Sequence, residues 1–426
     1  MLKSLLRSEG VVKLEHLRRG NKALIKDLNR ALVLHHLRIH GPLSRTDIAT
    51  ETKLGLSTIT KITDELITQG LIREVGEGDS SGGRRPVFLE FIPHYGHVVG
   101  AKIEKGQLVL ALTDLEAEIV AKDSIAFPVG APAGEVLALL ADAIATLVQK
   151  NKALIHRWLG IGIGISGLVD QSAGELVFSS LLGWGRVPFR EILSQRFSVP
   201  VFIDNDVNTY ALAELSYGYG READDFLLVT IGAGIGAGLI LDKKIYRGGF
   251  GGAGEIGHMV IATPGNPCYC GRQGCLEAHA GEQFILSECK RILSQEKDSL
   301  LYNERLQLTM EKVLKAAKAG DYAARQAFYN AGRNLGIGLV NLINILNPTT
   351  IILAGEGMVA EEFILPGIKG VLPTNFFNRF HPEYDLRVSR LGEGAWEKGA
   401  ATLVINELFK APIYQGQKTV LSGIGN

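Results

Sequence analysis

Three of the four cysteines in this 426-residue chain lie within eight positions, in the stretch NPCYCGRQGCLE. Cys268, Cys270 and Cys275 supply three thiols, and His258 stands ten residues before the first of them. Three sulfur ligands and one imidazole complete the closed tetrahedral shell that is usual for structural zinc. The sequence therefore predicts a structural Zn²⁺ site at these four residues, with no position left for a catalytic water.

Other uses of these cysteines fit the sequence less well. The C-x-C spacing is short for an unstrained disulfide, and four cysteines in so long a chain do not form the framework of a secreted protein. No basic helix terminus marks a reactive thiol. Free thiols remain the alternative to zinc, and Cys289, the fourth cysteine, is interpreted as an inert core residue.

Polar residues also follow a buried strand in VPVFIDNDVNTYALAEL. Asp204, Asn205 and Asp206 stand between this strand and the next helix, a position where α/β proteins bind ligands. A carboxylate there could instead serve only as a helix N-cap, and both interpretations stay open.

Glycines 232 to 238 are followed by an apolar strand instead of the helix that a dinucleotide fingerprint requires, so we predict a hairpin.

The composition, 46% hydrophobic and 21% charged, is ordinary for a globular protein. The N-terminal stretch contains neither a membrane span nor a signal peptide, and we expect a cytoplasmic protein. Strands and helices alternate beyond Pro93, which indicates an α/β architecture.

Residues 1–90 hold 15 Lys/Arg against 11 Asp/Glu, a net charge of +4 in a chain of formal charge zero. This excess indicates a module that binds a polyanion, although a solvated basic helix face explains the charge alone equally well.

Helical periodicity predicts three helices in this basic region. The first ends at Gly41-Pro42 and carries an apolar repeat that we expect to be buried: Ile25, Leu28, Leu32 and Ile39. The second begins at Ser44 with a capping box to Asp47 and buries Ile48 and Ala49. The third, STITKITDELITQG, is expected to use Ser57 as its N-cap and to end at Gly70.

Hydroxyl groups and one lysine mark the outer face of the third helix. We expect Ile59, Ile62 and Leu66 to face inward. The outward residues can reach base edges and phosphates of DNA, and Thr63 is expected among them beside the predicted DNA contacts: Ser57, Thr58, Thr60 and Lys61.

A basic hairpin follows the three helices. The strands LIREV and VFLEF are joined by GEGDSSGGRRP, whose glycine-rich tip carries Arg84 and Arg85. Two arginines there suit the narrow minor groove of A·T-rich DNA. Residues 1–93 are therefore predicted to form a winged helix-turn-helix DNA-binding domain, against the alternative of a three-helix dimerisation or linker domain.

The motifs together resemble the ROK family, in particular its repressors of sugar-utilisation operons, such as the xylose repressors. The motifs that carry the resemblance run from the wing to the cysteine loop: SSGGRRP, GISG, DNDVN, GAGIGAG, GEIGHM and CYCGRQGCLE. The resemblance implies an actin-like (ribonuclease H-like) two-lobed sugar-kinase fold over residues 94–426. Its lobes would lie at roughly 94–210 plus 390–408 and at 211–389.

The resemblance also implies the partners and a binding site. A homodimer or homotetramer would bind a palindromic operator, and a monosaccharide would release or modulate it. The family's sugar contacts fall on these positions: Gly167, Asn205, Asp206, Glu255, His258 and Glu277. His258 would then give one ring nitrogen to zinc and the other to a sugar hydroxyl.

Sugar kinases belong to the same family, so a hexose kinase with an added DNA-binding domain is the alternative function. Asp206 matches the general base of those kinases. Their phosphate loop, Asp-x-Gly-x-Thr, aligns with GAKIEKGQL, where Lys102, Glu104 and Gly106 replace its three defining residues. The loss of these groups removes the positioning of the γ-phosphoryl group, and we expect no enzyme activity. The wing is similar to that of xylose repressors whereas IDNDVN is closer to a glucose-type pattern, so the sequence leaves the effector open.

Overall fold

The structure, a computed structural model, describes residues 21–77, 85–379 and 384–410. Its chain divides into two compact units. Among the described residues, the second unit lies within Asn205–Ala395, and the first comprises those before Asn205 together with those from Trp396 onward. Within the described residues, no helix combines the length and the apolar character that a membrane crossing would need.

Helices and strands follow one another in three groups along the chain. The N-terminal group comprises α1 (Lys22–His40), β1 (Leu43–Ser44), α2 (Arg45–Thr52), α3 (Leu56–Thr68), β2 (Ile72–Glu77) and β3 (Val87–Phe91). The next group comprises β4 (His97–Glu104), β5 (Gln107–Thr113), β6 (Ile119–Ala126), α4 (Ala133–Lys150), β7 (Trp158–Ile165), β8 (Leu168–Asp170), β9 (Glu175–Phe178), α5 (Phe189–Phe197) and β10 (Val201–Asn205). The last group comprises α6 (Asp206–Tyr217), β11 (Phe226–Ile231), β12 (Ile235–Leu241), β13 (Lys244–Ile245), α7 (Leu276–Ala280), α8 (Glu282–Leu293), α9 (Met310–Lys318), α10 (Tyr322–Leu346), β14 (Thr350–Ala354), α11 (Glu361–Val371), β15 (Asp385–Val388) and α12 (Ala395–Phe409).

The N-terminal group, here called the N-terminal module, agrees with the predicted winged helix-turn-helix. Ser44 caps α2 through the predicted box: its hydroxyl accepts from the Asp47 backbone N–H at 3.2 Å, and its own N–H donates to the Asp47 carboxylate at 3.0 Å. Ile48 is fully buried. Strands β2 and β3 pair antiparallel as the wing, with β1 on the other side of β3.

Two helices of the module differ in detail from the prediction. Helix α1 buries another face, formed by Leu24, Val33, Leu34 and Leu37. Ile25, Leu32 and Ile39 are exposed instead, because a second apolar stripe on the same helix packs against the module. The N-cap of α3 is Gly55, not Ser57, since Leu56 already belongs to the helix.

Thr63, expected on the outer face of α3, is fully buried. Its hydroxyl accepts a hydrogen bond from Arg45 Nε at 3.1 Å and donates one to the Thr60 carbonyl, also at 3.1 Å. The Arg45 guanidinium also pairs with Asp64 on α3 and with Glu74 on β2, each at 3.1 Å. One arginine at the start of α2 thus connects α2 to α3 and to the wing.

The two five-stranded sheets have the same strand order. In the first unit the order is β6-β5-β4-β7-β10, and in the second it is β13-β12-β11-β14-β15. In both sheets three consecutive strands pair antiparallel and a fourth pairs parallel with the first of them. This repeated order confirms the predicted ribonuclease H-like, actin-like fold class, in which each unit has its own apolar core.

Glycines in the first sheet leave room for α12. Ile161, Ile163 and Ile165 on β7 are fully buried, as their alternation predicted. On the same strand, a Cβ added to Gly162 would lie 1.8 Å from the Ala400 carbonyl oxygen. The glycine face of β7 is therefore required by the close approach of the α12 backbone.

Candidate functional site

His258, Cys268, Cys270 and Cys275 converge in the second unit, where one ligand atom of each lies within 4.8 Å of the others. The Cys268 sulfur is 3.6 Å from His258 Nδ1, and the sulfurs of Cys270 and Cys275 are also 3.6 Å apart. His258 ends a short 3₁₀ turn, and Cys275 directly precedes α7. These four side chains could hold a metal ion, and no disulfide joins the cysteines.

The thiols of this cluster differ in acidity. A hydrogen bond from the backbone N–H of Arg272 lowers the pKa of Cys270 to about 6. Burial raises the pKa of Cys268 and raises the pKa of Cys275 to about 12. Because thiolates are the form that binds metals, a cation would have to displace the protons of the half-buried Cys268 and the buried Cys275.

Hydrogen bonds between side chains and backbone groups attach the cysteine loop to its surroundings. The backbone N–H of Asn266 donates to His279 Nε2 at 3.0 Å, and its side-chain amide donates to the Ala278 carbonyl at 2.9 Å. Arg272 donates from its guanidinium to the His258 carbonyl at 3.0 Å. The loop is therefore attached both to α7 and to the turn that carries His258.

The second ring nitrogen of His258 lies beside a tyrosine. Nε2 is 3.2 Å from the hydroxyl of Tyr269, the residue between the first two cysteines. The family resemblance assigns this nitrogen to a sugar hydroxyl, whereas in the structure its neighbour is Tyr269, which the sequence prediction does not include. Its place inside the C-Y-C motif was the signal that could have identified it, since a side chain between two metal ligands must lie near the site.

Asn205 and Asp206 stand where β10 ends and α6 begins. The Asn205 side chain caps α6 by accepting from the backbone N–H of Val207 at 2.9 Å and of Asn208 at 3.4 Å. The N-cap is therefore the amide residue Asn205, and neither carboxylate for which the sequence left an N-cap role open occupies that position. The Asp206 carboxylate is half-buried in the first turn of the helix.

Glu255 and Glu277 lie in the same electrostatic neighbourhood as His258. Desolvation by the surrounding protein raises the pKa of the Glu255 carboxyl. The charge of His258 lowers this pKa and the charge of Glu277 raises it, both by less than desolvation does. Glu277, on α7, accepts a hydrogen bond from the Ile235 backbone N–H at 2.9 Å. Ile235 begins β12, the second strand of the predicted glycine hairpin, which pairs antiparallel with β11.

Helix α6 lies close to β12 because the hairpin glycines have no side chain. A Cβ on Gly238 would lie 2.5 Å from the Ala211 Cβ, and one on Gly236 would lie 3.0 Å from a Val207 methyl. The hairpin thus contacts both α6, whose first turn holds Asp206, and the Glu277 carboxylate. Five of the six predicted sugar contacts lie in the second unit, on elements that converge at this hairpin.

Gly167, the sixth predicted contact, lies in the first unit between β7 and β8. Its φ of +136° favours glycine, and an added Cβ would lie 2.4 Å from the Phe178 carbonyl oxygen. Backbone geometry alone is therefore a sufficient reason for glycine at this position.

The segment that aligns with the kinase phosphate loop contains an ion pair. Lys102 Nζ is 2.9 Å from Glu104 Oε2 at the end of β4. The ammonium group also lies 3.9 Å from the ring centroid of Trp396, and the lysine is buried. The Glu104 carboxylate neutralises the lysine charge, so this turn offers a phosphate no net positive charge.

The predicted DNA contacts lie on the N-terminal module. Ser57 and Lys61 on α3 are exposed, whereas Thr58 and Thr60 are half-buried. The Thr60 hydroxyl donates to the Leu56 carbonyl at 2.9 Å. Arg85 is exposed just before β3, and Arg84 lies outside the described residues.

Comparisons with known proteins match nearly the whole chain. Residues 98–407 match the ROK family model. The chain is 33% identical over 397 residues to the xylose repressor of Caldicellulosiruptor bescii, covering 93% of this chain and 100% of that protein. It is 33% identical over 367 residues to the DNA-binding transcriptional dual regulator NagC of Escherichia coli strain K12, covering 85% and 88% of the two chains.

A solved structure is similar over the same extent. The crystal structure of a ROK family transcriptional regulator, a homologue of the E. coli MLC protein, gives a TM-score of 0.82 at 29% identity and covers 94% of this chain and 99% of that chain. The names of these relatives confirm the prediction of a transcriptional regulator over a kinase. The chain belongs to the ROK family.

Proposed function

We propose that this chain is a sugar-responsive repressor of transcription. Residues 1–93 would bind a palindromic operator as part of a homodimer or homotetramer, and residues 94–426 would bind a monosaccharide that releases or modulates the protein. Such a regulator acts in the cytoplasm, where the chromosome lies. The observation that carries the proposal is the similarity to a xylose repressor over 397 residues, 93% of this chain, a length that must extend into the N-terminal module.

The polar residues of the second unit support a sugar ligand. Carboxylates and amides can each bind two hydroxyl groups, and a site built on such bonds rejects ligands that lack them. Asp206, Glu255 and Glu277 supply carboxylates near the hairpin, with Asn205 beside them. Relatives named for xylose and for N-acetylglucosamine are both similar to this chain, so the proposal extends to a monosaccharide without choosing among them.

We propose Zn²⁺ as the ion of the cysteine cluster, in a structural role. Around tetrahedral zinc, sulfurs lie about 3.8 Å apart and sulfur and nitrogen about 3.6 Å apart, given bonds of about 2.3 and 2.0 to 2.1 Å. The two contacts of 3.6 Å between ligand atoms agree with this geometry. The ion would orient His258 and fix the start of α7, which carries Glu277.

A thermal-shift screen against common monosaccharides tests the proposal. A ligand that binds only the native state raises the melting temperature by mass action. We expect at least one of xylose, glucose and N-acetylglucosamine to do so, and Asp206→Asn to lose the shift. Asp224→Asn, an equal change at an exposed position of the same unit, should keep it. If no monosaccharide raises the melting temperature of the wild type, the sugar-binding part of the proposal is wrong.

A further inference from the structure

A second group of metal-ligating side chains lies on the N-terminal module. His36 and His40 are on α1, and Glu51 is on α2. Glu51 Oε2 is 3.0 Å from His36 Nδ1. One ligand atom from each of the three residues lies within 4.8 Å of the others. These residues take no part in the proposed contacts with DNA or sugar.

The two histidines have the spacing of a helical chelate. Residues four positions apart lie on the same face of an α-helix, and paired histidines at this spacing bind metal ions in proteins. The His36 and His40 rings are stacked, with centroids 5.5 Å apart and an angle of 26° between their planes. Helix geometry thus holds both imidazoles on one side, facing the carboxylate from α2.

The hydrogen bond between His36 and Glu51 leaves out His40, the third residue of the group. Among the described parts of the chain, His40 has neither a hydrogen-bond partner nor an ion-pair partner. Two stacked imidazoles would repel each other if both were protonated, whereas neutral imidazoles share an ion readily. A cation between the rings and the carboxylate gives all three groups one partner.

We propose that His36, His40 and Glu51 form a second metal site, for a borderline transition-metal ion such as Zn²⁺ or Ni²⁺. Two imidazoles and one carboxylate suit these ions better than the hard cations Mg²⁺ and Ca²⁺. His40 and Glu51 are exposed, so water completes the coordination. The site is therefore open and exchangeable, in contrast to the closed Cys3His cluster. Its ion would connect α1 to α2, the helix that precedes the proposed recognition helix α3.

Zinc stoichiometry of the full-length chain tests the proposal. Protein is equilibrated against buffered Zn²⁺ by dialysis, and the bound metal is measured by atomic absorption. We expect the wild type to bind one equivalent more than either His40→Ala or Glu51→Gln. His35→Ala is the matched control, because it removes a neighbouring histidine of α1 that lies outside the group, and it should bind as much zinc as the wild type.

Cobalt distinguishes the two sites by their ligands. Thiolate ligands give Co²⁺ intense charge-transfer absorption in the near ultraviolet, which imidazole and carboxylate ligands do not give. The absorption of the cysteine cluster should therefore be the same in wild type and His40→Ala, while total bound cobalt falls by one equivalent in the variant. Circular dichroism establishes that the variants are folded. Equal metal content in the wild type, His40→Ala and Glu51→Gln would overturn the proposal.

Discussion

The ring of Phe409, at the end of α12, lies 5.6 Å from the ring of Phe91 on β3 of the N-terminal module. On α1, the Arg38 guanidinium carbon lies 5.1 Å from the centroid of the same Phe409 ring. Earlier in α12, the Ala400 carbonyl occupies the space that Gly162 leaves on β7. One helix therefore contacts both the N-terminal module and the five-stranded sheet of the first unit.

Phe409→Ala should weaken the coupling between sugar binding and operator binding, because it removes the contact of α12 with the N-terminal module. The ring is half-buried, so we expect unfolding to cost about 1 to 2 kcal/mol less. Monosaccharide affinity should stay the same, while the effect of the sugar on operator affinity should shrink. Fluorescence anisotropy with labelled operator, with and without sugar, measures this effect. Phe178→Ala, which removes an exposed ring from β9, should behave as the wild type, and an undiminished sugar effect in Phe409→Ala would assign the coupling to another contact.

The wing arginines should contribute to the salt dependence of operator binding. Replacing Arg84 and Arg85 by Ala should weaken binding and reduce the slope of log K against log salt by about one unit for each lost phosphate contact. The control is Arg196→Ala, which removes one positive charge from α5, outside the N-terminal module, and should leave the slope unchanged. A slope that matches the wild type would exclude the wing from the DNA interface.

Cys270→Ser should release the ion of the cysteine cluster without unfolding the chain. A structural zinc contributes about 10 kcal/mol or more in small fingers, but the second unit has its own extensive core. We expect local loosening of residues 250–280 and an early loss of sugar affinity, because His258 and Glu277 would no longer be held in place. Metal content and sugar titration check this together.

The matched control for this variant is Cys289→Ala. Cys289 is fully buried on α8, as a core residue, and burial raises its pKa to about 11. This variant should keep its zinc and its sugar affinity, apart from some loss of stability. Normal sugar affinity in a zinc-free Cys270→Ser protein would show that the ion has no role in ligand binding.

The phosphate-loop segment predicts that the protein does not phosphorylate sugars. The Lys102–Glu104 ion pair stands where a kinase needs a magnesium ligand and a small residue. With magnesium, ATP and any of the monosaccharides, a coupled assay should stay at background, with a known hexokinase as positive control. Turnover on the order of 1 per second would identify an enzyme.

Local signals in the sequence were sufficient for much of the fold. The Ser44 capping box, the isoleucines of β7 and the glycine hairpin follow from short-range chemistry, and the structure contains them. The cysteine cluster was also predictable, because thiols and imidazole have few other reasons to occur together. Groups that meet only in the folded chain could not be predicted from local sequence. The Glu277 carboxylate and the Ile235 backbone N–H, which are 42 residues apart, are an example.

Errors arose where two local solutions compete. Helix α1 carries two apolar stripes, and periodicity cannot select the one that the rest of the module covers, so the prediction that Ile25 is buried is wrong. Gly55 in an extended conformation displaced Ser57 as the N-cap of α3. The burial of Thr63 depends on Arg45, which is 18 residues away in the sequence, and no local pattern predicts that contact.

Operator affinity with and without sugar tests the central claim most directly. The measurement uses the full-length protein, a labelled operator and the monosaccharide that raises its melting temperature. We predict that saturating sugar changes the dissociation constant for the operator by about 5- to 150-fold, the usual range of coupling between two sites, and that Asp206→Asn binds the operator without responding to sugar. An operator affinity that is the same with and without a sugar the protein demonstrably binds would contradict a sugar-responsive repressor.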